Sequence, residues 1–201
     1  MVNLVYFKKS SNSYKPLREL LKSHLKLLSN DDRYLRFFSA QSDDSIDIYV
    51  NKINFKTDGI FIVLNETYDQ VIGFLHASRL DGVSGVEYEI GVSVNESARG
   101  MGVGYELFAK AVSWTESLGG KRLYVNCLTQ NKAMQKIAEK FKLKTHSIDY
   151  DTREGELTLN SIPNLFTYMI HFTANNIMVY DALVRKRIQD SMKAIYFSPN
   201  Q

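Results

Sequence analysis

The chain has 201 residues, of which 44% are hydrophobic and 23% are charged, and its formal net charge is +3. These values exclude a disordered chain and fit a globular domain with a core of its own. The positive excess is too small and too scattered for a nucleic-acid-binding surface, so we expect no nucleic-acid partner.

The first third of the chain predicts a strand at "VNLVYF" and two helices. Leucines at helical spacing predict an amphipathic helix over Ser13–Leu28. The segment "SNDDRYLRFFSAQSDD" is expected to be a polar loop, whose "RYLRFF" part either packs partly buried or lines the edge of a cleft. A second, short helix is expected to begin near Ser42 or Asp43.

Three β-like runs follow: "GIFIVLN", "QVIGFLHASRL" and "VEYEIGVSV". Their short separators suit tight hairpin turns. A glycine-rich turn then leads into a helix predicted from about Gly102 to Leu118, which Gly119 and Gly120 end.

The strand "KRLYVNCL", a short helix, and two last strands joined by a turn at "DTREG" complete the pattern. The order β-α-α-β-β-β-α-β-α-β-β predicts an α/β fold with a mixed, mostly antiparallel central sheet flanked by helices.

Apolar residues after Pro163 recur at helical spacing, unlike the pattern before them. We therefore divide the chain into a domain over 1–162 and a C-terminal helical extension over 163–201. The extension either packs on the domain or forms the contact of a homodimer.

The turn "RGMGVG", Arg99–Gly104, joins a strand to a helix. Glycine lets backbone N–H groups approach a ligand closely, and the helix adds unsatisfied N–H groups and the positive end of its dipole. Together they favour an anion site suited to phosphate. Tyr105 and Glu106 stand where a nucleotide P-loop needs Lys and Ser or Thr, and the glycine spacing also departs from a dinucleotide fingerprint.

The same turn matches the R/Q-x-x-G-x-G/A motif of the GNAT superfamily of N-acetyltransferases. The chain resembles this family from about residue 2 to residue 160, because the strand before the turn, the helix after it, "RLYVNCL" and Asn131 before a short helix follow in the family's order. "LSNDDRYLRFF" and "NKAMQKIAEKFKL" resemble segments of protein-lysine-acetyltransferase-like members.

The resemblance implies that acetyl-CoA is the co-substrate. Backbone N–H groups of the turn would hold its pyrophosphate, and Arg99 would either help to neutralise the phosphates or be solvated. Those backbone groups belong to Gly100, Met101, Gly102, Val103 and Gly104. The preceding strand, through Val92, Ser93 and Val94, would pair with the pantetheine arm by its main chain. Asn131 would hydrogen-bond the pantetheine or position the thioester.

Period-two geometry places Glu87, Glu89 and Ser93 on the face of their strand opposite Tyr88 and Ile90. Carboxylates are costly to bury on a central strand, so we expect this face to line a wet cleft. The resemblance implies that Glu89 is the general base, acting through water, with Glu87 as second choice. Alternatively, Glu89 binds the amine electrostatically or is a surface charge.

The family's usual proton donor to the departing thiolate is a tyrosine, and here Ala138 stands at its position. Lys142 and Leu143 likewise replace the family's Gly-Phe pair. Water, Tyr124 or Tyr105 remain as candidates for the general acid. The histidines and Cys127 lack metal-ligand spacing, so no metal is expected.

The sequence therefore predicts an acetyl-CoA-dependent N-acetyltransferase that acts on a primary amine, of a protein lysine or a small molecule. The alternative is a catalytically weak or inactive acyl-CoA-binding sensor or interaction module. The single cysteine favours a reducing compartment. Neither an apolar signal core nor a run of ~18 apolar residues occurs, so we expect a cytoplasmic protein with no membrane association.

Overall fold

Seven strands form one sheet in the computed structural model, which describes residues 3–6, 14–82 and 85–159. All neighbouring strands are antiparallel except the fourth and fifth of the chain, which are parallel. This arrangement confirms the predicted α/β fold with a mixed, mostly antiparallel sheet. From edge to edge the strands are β1 (Asn3–Tyr6), β2 (Gly59–Leu64), β3 (Val71–Gly82), β4 (Gly85–Val94), β5 (Arg122–Leu128), β7 (Thr152–Thr158) and β6 (Lys144–Ser147).

Helices cover both faces of the sheet, and each face has its own apolar core. On one face, leucines of the first helix and apolar residues of the third pack against β2 and β3. On the other face, the fourth and fifth helices pack against β2 to β5. The five helices are α1 (Tyr14–Lys26), α2 (Asn30–Phe37), α3 (Asp43–Lys52), α4 (Val103–Ser117) and α5 (Lys132–Lys140), and a short 3-10 turn, Glu96–Ala98, precedes α4.

The prediction of a polar loop before the second predicted helix is wrong, because α2 occupies the first half of that segment. Ser29 caps this helix by accepting a hydrogen bond from the backbone N–H of Asp32 at 3.1 Å, and Asp31 and Asp32 complement the helix dipole. The helix has only eight residues and buries none of them fully, so its sequence lacks a row of leucines like the one that reveals α1.

The turn expected at "DTREG" is also wrong, because β7 already begins at Thr152. Asp149 closes the actual turn, since its Oδ1 accepts hydrogen bonds from the backbone N–H groups of Asp151 and Thr152 at 3.2 and 2.8 Å. β7 then lies between β5 and β6.

The predicted C-terminal extension over 163–201, with its homodimer contact, lies outside the described residues. So does Ser13, at the start of the predicted first helix. Across the residues that the structure describes, no helix has the length and apolar character needed to cross a membrane.

His24 connects α1 to the sheet from a site where its side chain is 1% exposed. Its Nδ1 lies 2.9 Å from the carbonyl oxygen of Val71, and its Nε2 lies 2.9 Å from Oγ of Ser93. A carbonyl only accepts, so Nδ1 carries the proton and Nε2 accepts from the serine hydroxyl. Burial lowers the pKa of His24 to about 4, so the imidazole in the folded protein is neutral.

We predict that this histidine makes the folded protein less stable in acid. The unfolded chain binds a proton at His24 below its ordinary pKa of 6.5, whereas the folded protein resists it down to about pH 4. The contribution of His24 to the free energy of unfolding is therefore complete above pH 6.5. It decreases by up to about 3 kcal/mol as the pH falls from 6.5 to about 4.

Urea denaturation between pH 7 and pH 4 measures the effect, and the gap in stability between wild type and His24→Gln should narrow with falling pH. His146→Gln is the control, because it removes an exposed histidine and leaves the buried His24 in place, so the loss of stability in acid that is due to His24 should persist. A constant gap for His24→Gln would contradict the prediction.

Candidate active site

β4 and β5 separate part of the way along the sheet. They pair over only three positions, in which Glu87–Glu89 faces Arg122–Tyr124. β4 continues to Val94 and β5 to Leu128 without pairing to each other. The backbone groups on one edge of Ile90–Val94 therefore face an opening in the sheet, where an extended ligand can add as a strand does.

The side chains next to this opening are engaged with the protein. Val92 and Val94 pack against the core beneath α4, and Ser93 hydrogen-bonds His24. The main chain of these three predicted cofactor-binding residues is the part that a ligand added as a strand would meet.

The glycine turn lies at the end of the opening, between β4 and α4. Gly100 and Gly102 have φ angles of +74° and +82°, and a Cβ added at either would meet no atom within 4 Å. Met101 is exposed at 62%, whereas Val103 is buried in the core. Gly102 is the N-cap of α4, because its carbonyl oxygen accepts the first backbone hydrogen bond of the helix, from Glu106 N–H at 3.0 Å. Among the described residues, no side chain caps this end of the helix. The N–H groups of the first turn of α4 have no partner within the helix, and the open space beside Gly100 and Gly102 leaves room for an anion there.

Arg99 links the glycine turn to α2. Its Nη2 lies 2.5 Å from Oδ2 of Asp32, in the first turn of that helix. The side chain that we expected either to neutralise phosphate or to be solvated is thus ion-paired. The backbone of the turn is therefore the stronger part of the predicted anion site.

Asn131 begins α5, and its Oδ1 accepts a hydrogen bond from the backbone N–H of Met134 at 3.0 Å. Within the described part of the chain, its amide nitrogen has no hydrogen-bond partner. The helix that it caps lies against the start of α4, because a Cβ added at Gly104 would lie 3.3 Å from Cδ1 of Ile137.

The two predicted carboxylates lie on one face of β4, opposite the face that Tyr88 turns to the core beneath α4. Glu87 is buried, and its Oε1 lies 3.4 Å from Nη1 of Arg122. Glu89 is half-buried, and its Oε1 accepts a hydrogen bond from Nδ2 of Asn126 at 3.0 Å. The ion pair engages Glu87, whereas Glu89 is held by a neutral amide and keeps its second oxygen available to a proton donor.

Arg36 reaches this face from α2 and covers the bare backbone of Gly91. A Cβ added at Gly91 would overlap the guanidinium group. Nη2 of Arg36 donates to the hydroxyl of Tyr49 at 2.9 Å, and that hydroxyl lies 2.7 Å from Nδ1 of His76. Nε2 of His76 lies 2.9 Å from Oδ2 of Asp58. A chain of hydrogen bonds thus runs from a cation beside the opening to the carboxylate of Asp58, in the segment between α3 and β2.

The direction of each bond in this chain follows from the donors. A guanidinium only donates, so the oxygen of Tyr49 accepts from it and its O–H donates to Nδ1 of His76, which leaves Nε2–H for Asp58. Burial raises the pKa of Tyr49, so the phenol stays neutral. Burial alone would raise the pKa of Asp58, but hydrogen bonds from His76 and from the backbone of Asn54 hold it below its ordinary value.

Sequence reasoning missed most residues of this series of hydrogen bonds and also missed Asn126. "RYLRFF" carried one signal, because it left open a place for Arg36 at the edge of a cleft. Nothing local marks Tyr49 or Asp58, because their partners are brought together only by the pairing of α3, β2 and β3.

The two tyrosines considered as proton donors lie in different places. Tyr124 faces Glu89 across the strand pair, and its hydroxyl lies 3.4 Å from Nη1 of Arg122. The ring of Tyr105 packs against Phe141, with their centroids 5.0 Å apart, at the contact between α4 and α5. Only Tyr124 shares the sheet face of Glu89. Among the described residues, no group of three or more His, Cys, Asp or Glu side chains could hold a metal ion.

A model of the acetyltransferase (GNAT) family matches residues 26–142. The GNAT domain of S. lividans PAT has the same fold, with a TM-score of 0.62 and 17% identity over 79% of this chain and 90% of that one. A GNAT superfamily phosphinothricin acetyltransferase from Sinorhizobium meliloti, solved in complex with AcCoA, matches with a TM-score of 0.59 and 15% identity over 79% of this chain and 89% of that one. A ribosomal-protein-alanine N-acetyltransferase from Brucella melitensis matches with a TM-score of 0.58 and 14% identity over 78% of this chain and 99% of that one.

We predict that Gly91 and Arg36 are energetically coupled. Gly91→Ala should displace the guanidinium and cost about 1–2 kcal/mol, because the hydrogen bond to Tyr49 is lost. In an Arg36→Ala background the same change should cost nothing. Urea denaturation of wild type, the two single variants and the double variant measures the coupling. An equal cost of Gly91→Ala in both backgrounds would contradict the contact.

Proposed function

We propose that this chain, which belongs to the GNAT family of acetyltransferases, transfers an acetyl group from acetyl-CoA to a primary amine of a protein lysine or a small molecule. One observation carries the proposal: an uncapped, glycine-lined helix start adjoins an unpaired stretch of β4, and a carboxylate lies where that stretch begins. The AcCoA complex of the Sinorhizobium meliloti relative supports the choice of co-substrate.

The cofactor would bind through main-chain groups. The N–H groups of Gly100–Gly104 would hold the pyrophosphate, because they belong to the turn and the positive end of α4, where Gly100 and Gly102 have open space beside them. The unpaired edge of Val92–Val94 would take the pantetheine arm as an added strand. The free amide nitrogen of Asn131 would donate to the same arm near the thioester.

The reaction needs a neutral amine, because an ammonium has no lone pair with which to attack. Glu89 would accept a proton from the amine through a water molecule, and the nitrogen would then attack the thioester carbon. Backbone N–H groups of β4 would stabilise the negative charge that develops on the carbonyl oxygen. The C–S bond then breaks, and the CoA thiolate takes a proton from water or from Tyr124, the tyrosine on the same sheet face as Glu89.

A second candidate is an acyl-CoA-binding sensor or interaction module without efficient turnover. Ala138 favours it, because it is buried at 6% exposure and offers no hydroxyl at the position of the family's tyrosine. Binding without turnover separates this candidate from the enzyme.

We expect the glycine turn to decide acetyl-CoA binding. Gly102→Glu places a carboxylate in the open space at the start of α4 and should abolish saturable binding in calorimetric titration. Gly119→Glu is a matched control, because Gly119 also has a positive φ, +70°, and no atom near its Cβ position, but it lies beyond the other end of α4. Equal weakening by both substitutions would mean that lost stability, and not the anion site, is responsible.

Glu89→Gln should lower the transfer rate by about 10²-fold or more while acetyl-CoA binding stays intact, because the amide cannot take the proton. The rate is measured as release of free CoA thiol with a panel of amines. Glu19→Gln is the control, since it makes the same chemical change on α1, where Glu19 pairs with Lys22 at 3.1 Å. Full activity of Glu89→Gln would show that another group is the base.

A further inference from the structure

Among the residues that the structure describes, two buried side-chain atoms without a hydrogen-bond partner lie on the side of the sheet that carries Glu89. They are Nε of Arg36, a donor, and Oδ1 of Asn126, an acceptor. Leaving such atoms unpaired is costly, so a pair of them beside a proposed catalytic carboxylate indicates groups that a ligand completes.

The orientation of the Asn126 carboxamide is fixed by its partner. A carboxylate only accepts hydrogen bonds, so the group that touches Glu89 must be the amide nitrogen, which donates at 3.0 Å. Oδ1 is therefore the unpaired atom. Together with the second oxygen of Glu89, it forms a pair of acceptors, and this is what an ammonium group needs.

The guanidinium of Arg36 is held in place without a counter-ion. Tyr49 takes one N–H at 2.9 Å, and the ring of Phe37 lies 4.9 Å from the guanidinium carbon. No acidic side chain among the described residues pairs with it. Arg33, one turn earlier, differs because its Nη2 lies 2.9 Å from Oδ1 of Asp43. A cation fixed by aromatic and hydroxyl contacts, with Nε left over, is suited to a carboxylate.

The strand register places these two groups across the opening from each other. Glu89 on β4 pairs with Tyr124 on β5. Two residues further along, β4 has Gly91, which Arg36 covers, and β5 has Asn126. These positions share one face, because side chains alternate along a strand. The acceptor pair and the cation are therefore near neighbours on either side of the point where β4 leaves β5.

We propose that the acceptor amine is a free α-amino acid. Its ammonium would lie between Glu89 and Oδ1 of Asn126, and its carboxylate would accept hydrogen bonds from Arg36. A lysine side chain or an N-terminus of a protein has no carboxylate beside its amine and would leave Arg36 unpaired. This inference rests on the proposed acetyl transfer.

The test compares L-amino acids with their α-carboxamides, which keep the amine and lose the negative charge. We expect wild type to acetylate at least one amino acid with a kcat/KM about 10- to 100-fold above that of its amide. Arg36→Met should bring this ratio to about 1, and Arg36→Lys should restore part of it. If Arg36 only maintained structure, Arg36→Met would lower kcat/KM equally for the acid and its amide, and the ratio would not change.

Binding of the same pairs is measured by calorimetry with CoA present, so that the two proposals fail separately. Tighter binding of the acid, lost in Arg36→Met, without turnover would support the amino-acid site at Arg36 and refute the transferase. Turnover with an equal or better rate for the amides, or with protein amines alone, would refute this inference and leave the transferase in place. Neither binding nor turnover of any pair would also overturn it.

Discussion

The parallel pairing of β4 with β5 covers only Glu87–Glu89, and beyond it the two strands keep separate partners. Backbone groups seldom stay unpaired in the middle of a sheet, since each lost hydrogen bond costs stability. Here the interruption leaves a strand edge that leads directly to the uncapped start of α4. The extended arm of a CoA molecule and its phosphates match these two features in order.

α2 connects the two halves of the site by polar contacts. Its first turn holds Arg99 of the glycine turn through Asp32, and its last turn places Arg36 over Gly91. The helix buries no residue fully, so packing alone does not hold it. Movement of α2 would therefore displace Arg99 at the proposed phosphate site and Arg36 at the proposed acceptor site together.

Local patterns in the sequence predicted the sheet, the glycine turn and the carboxylate face of β4, because each depends on neighbouring residues. They did not predict α2, whose only signal is the capping Ser29 ahead of two aspartates. The pairing of Asn126 with Glu89 and the position of Arg36 over Gly91 were also hidden. These contacts join residues far apart in the chain, and only the sheet register brings them together.

Hydrogen–deuterium exchange with and without acetyl-CoA tests the proposed role of the opening most directly, because it reports on single backbone N–H groups. We expect acetyl-CoA to slow exchange at Val92–Val94 and Gly100–Gly104, while β2 (Gly59–Leu64), already paired on both sides, stays unchanged. Saturating acetyl-CoA that leaves exchange at both segments unaltered, or protects a different surface, would contradict a cofactor site between β4 and β5.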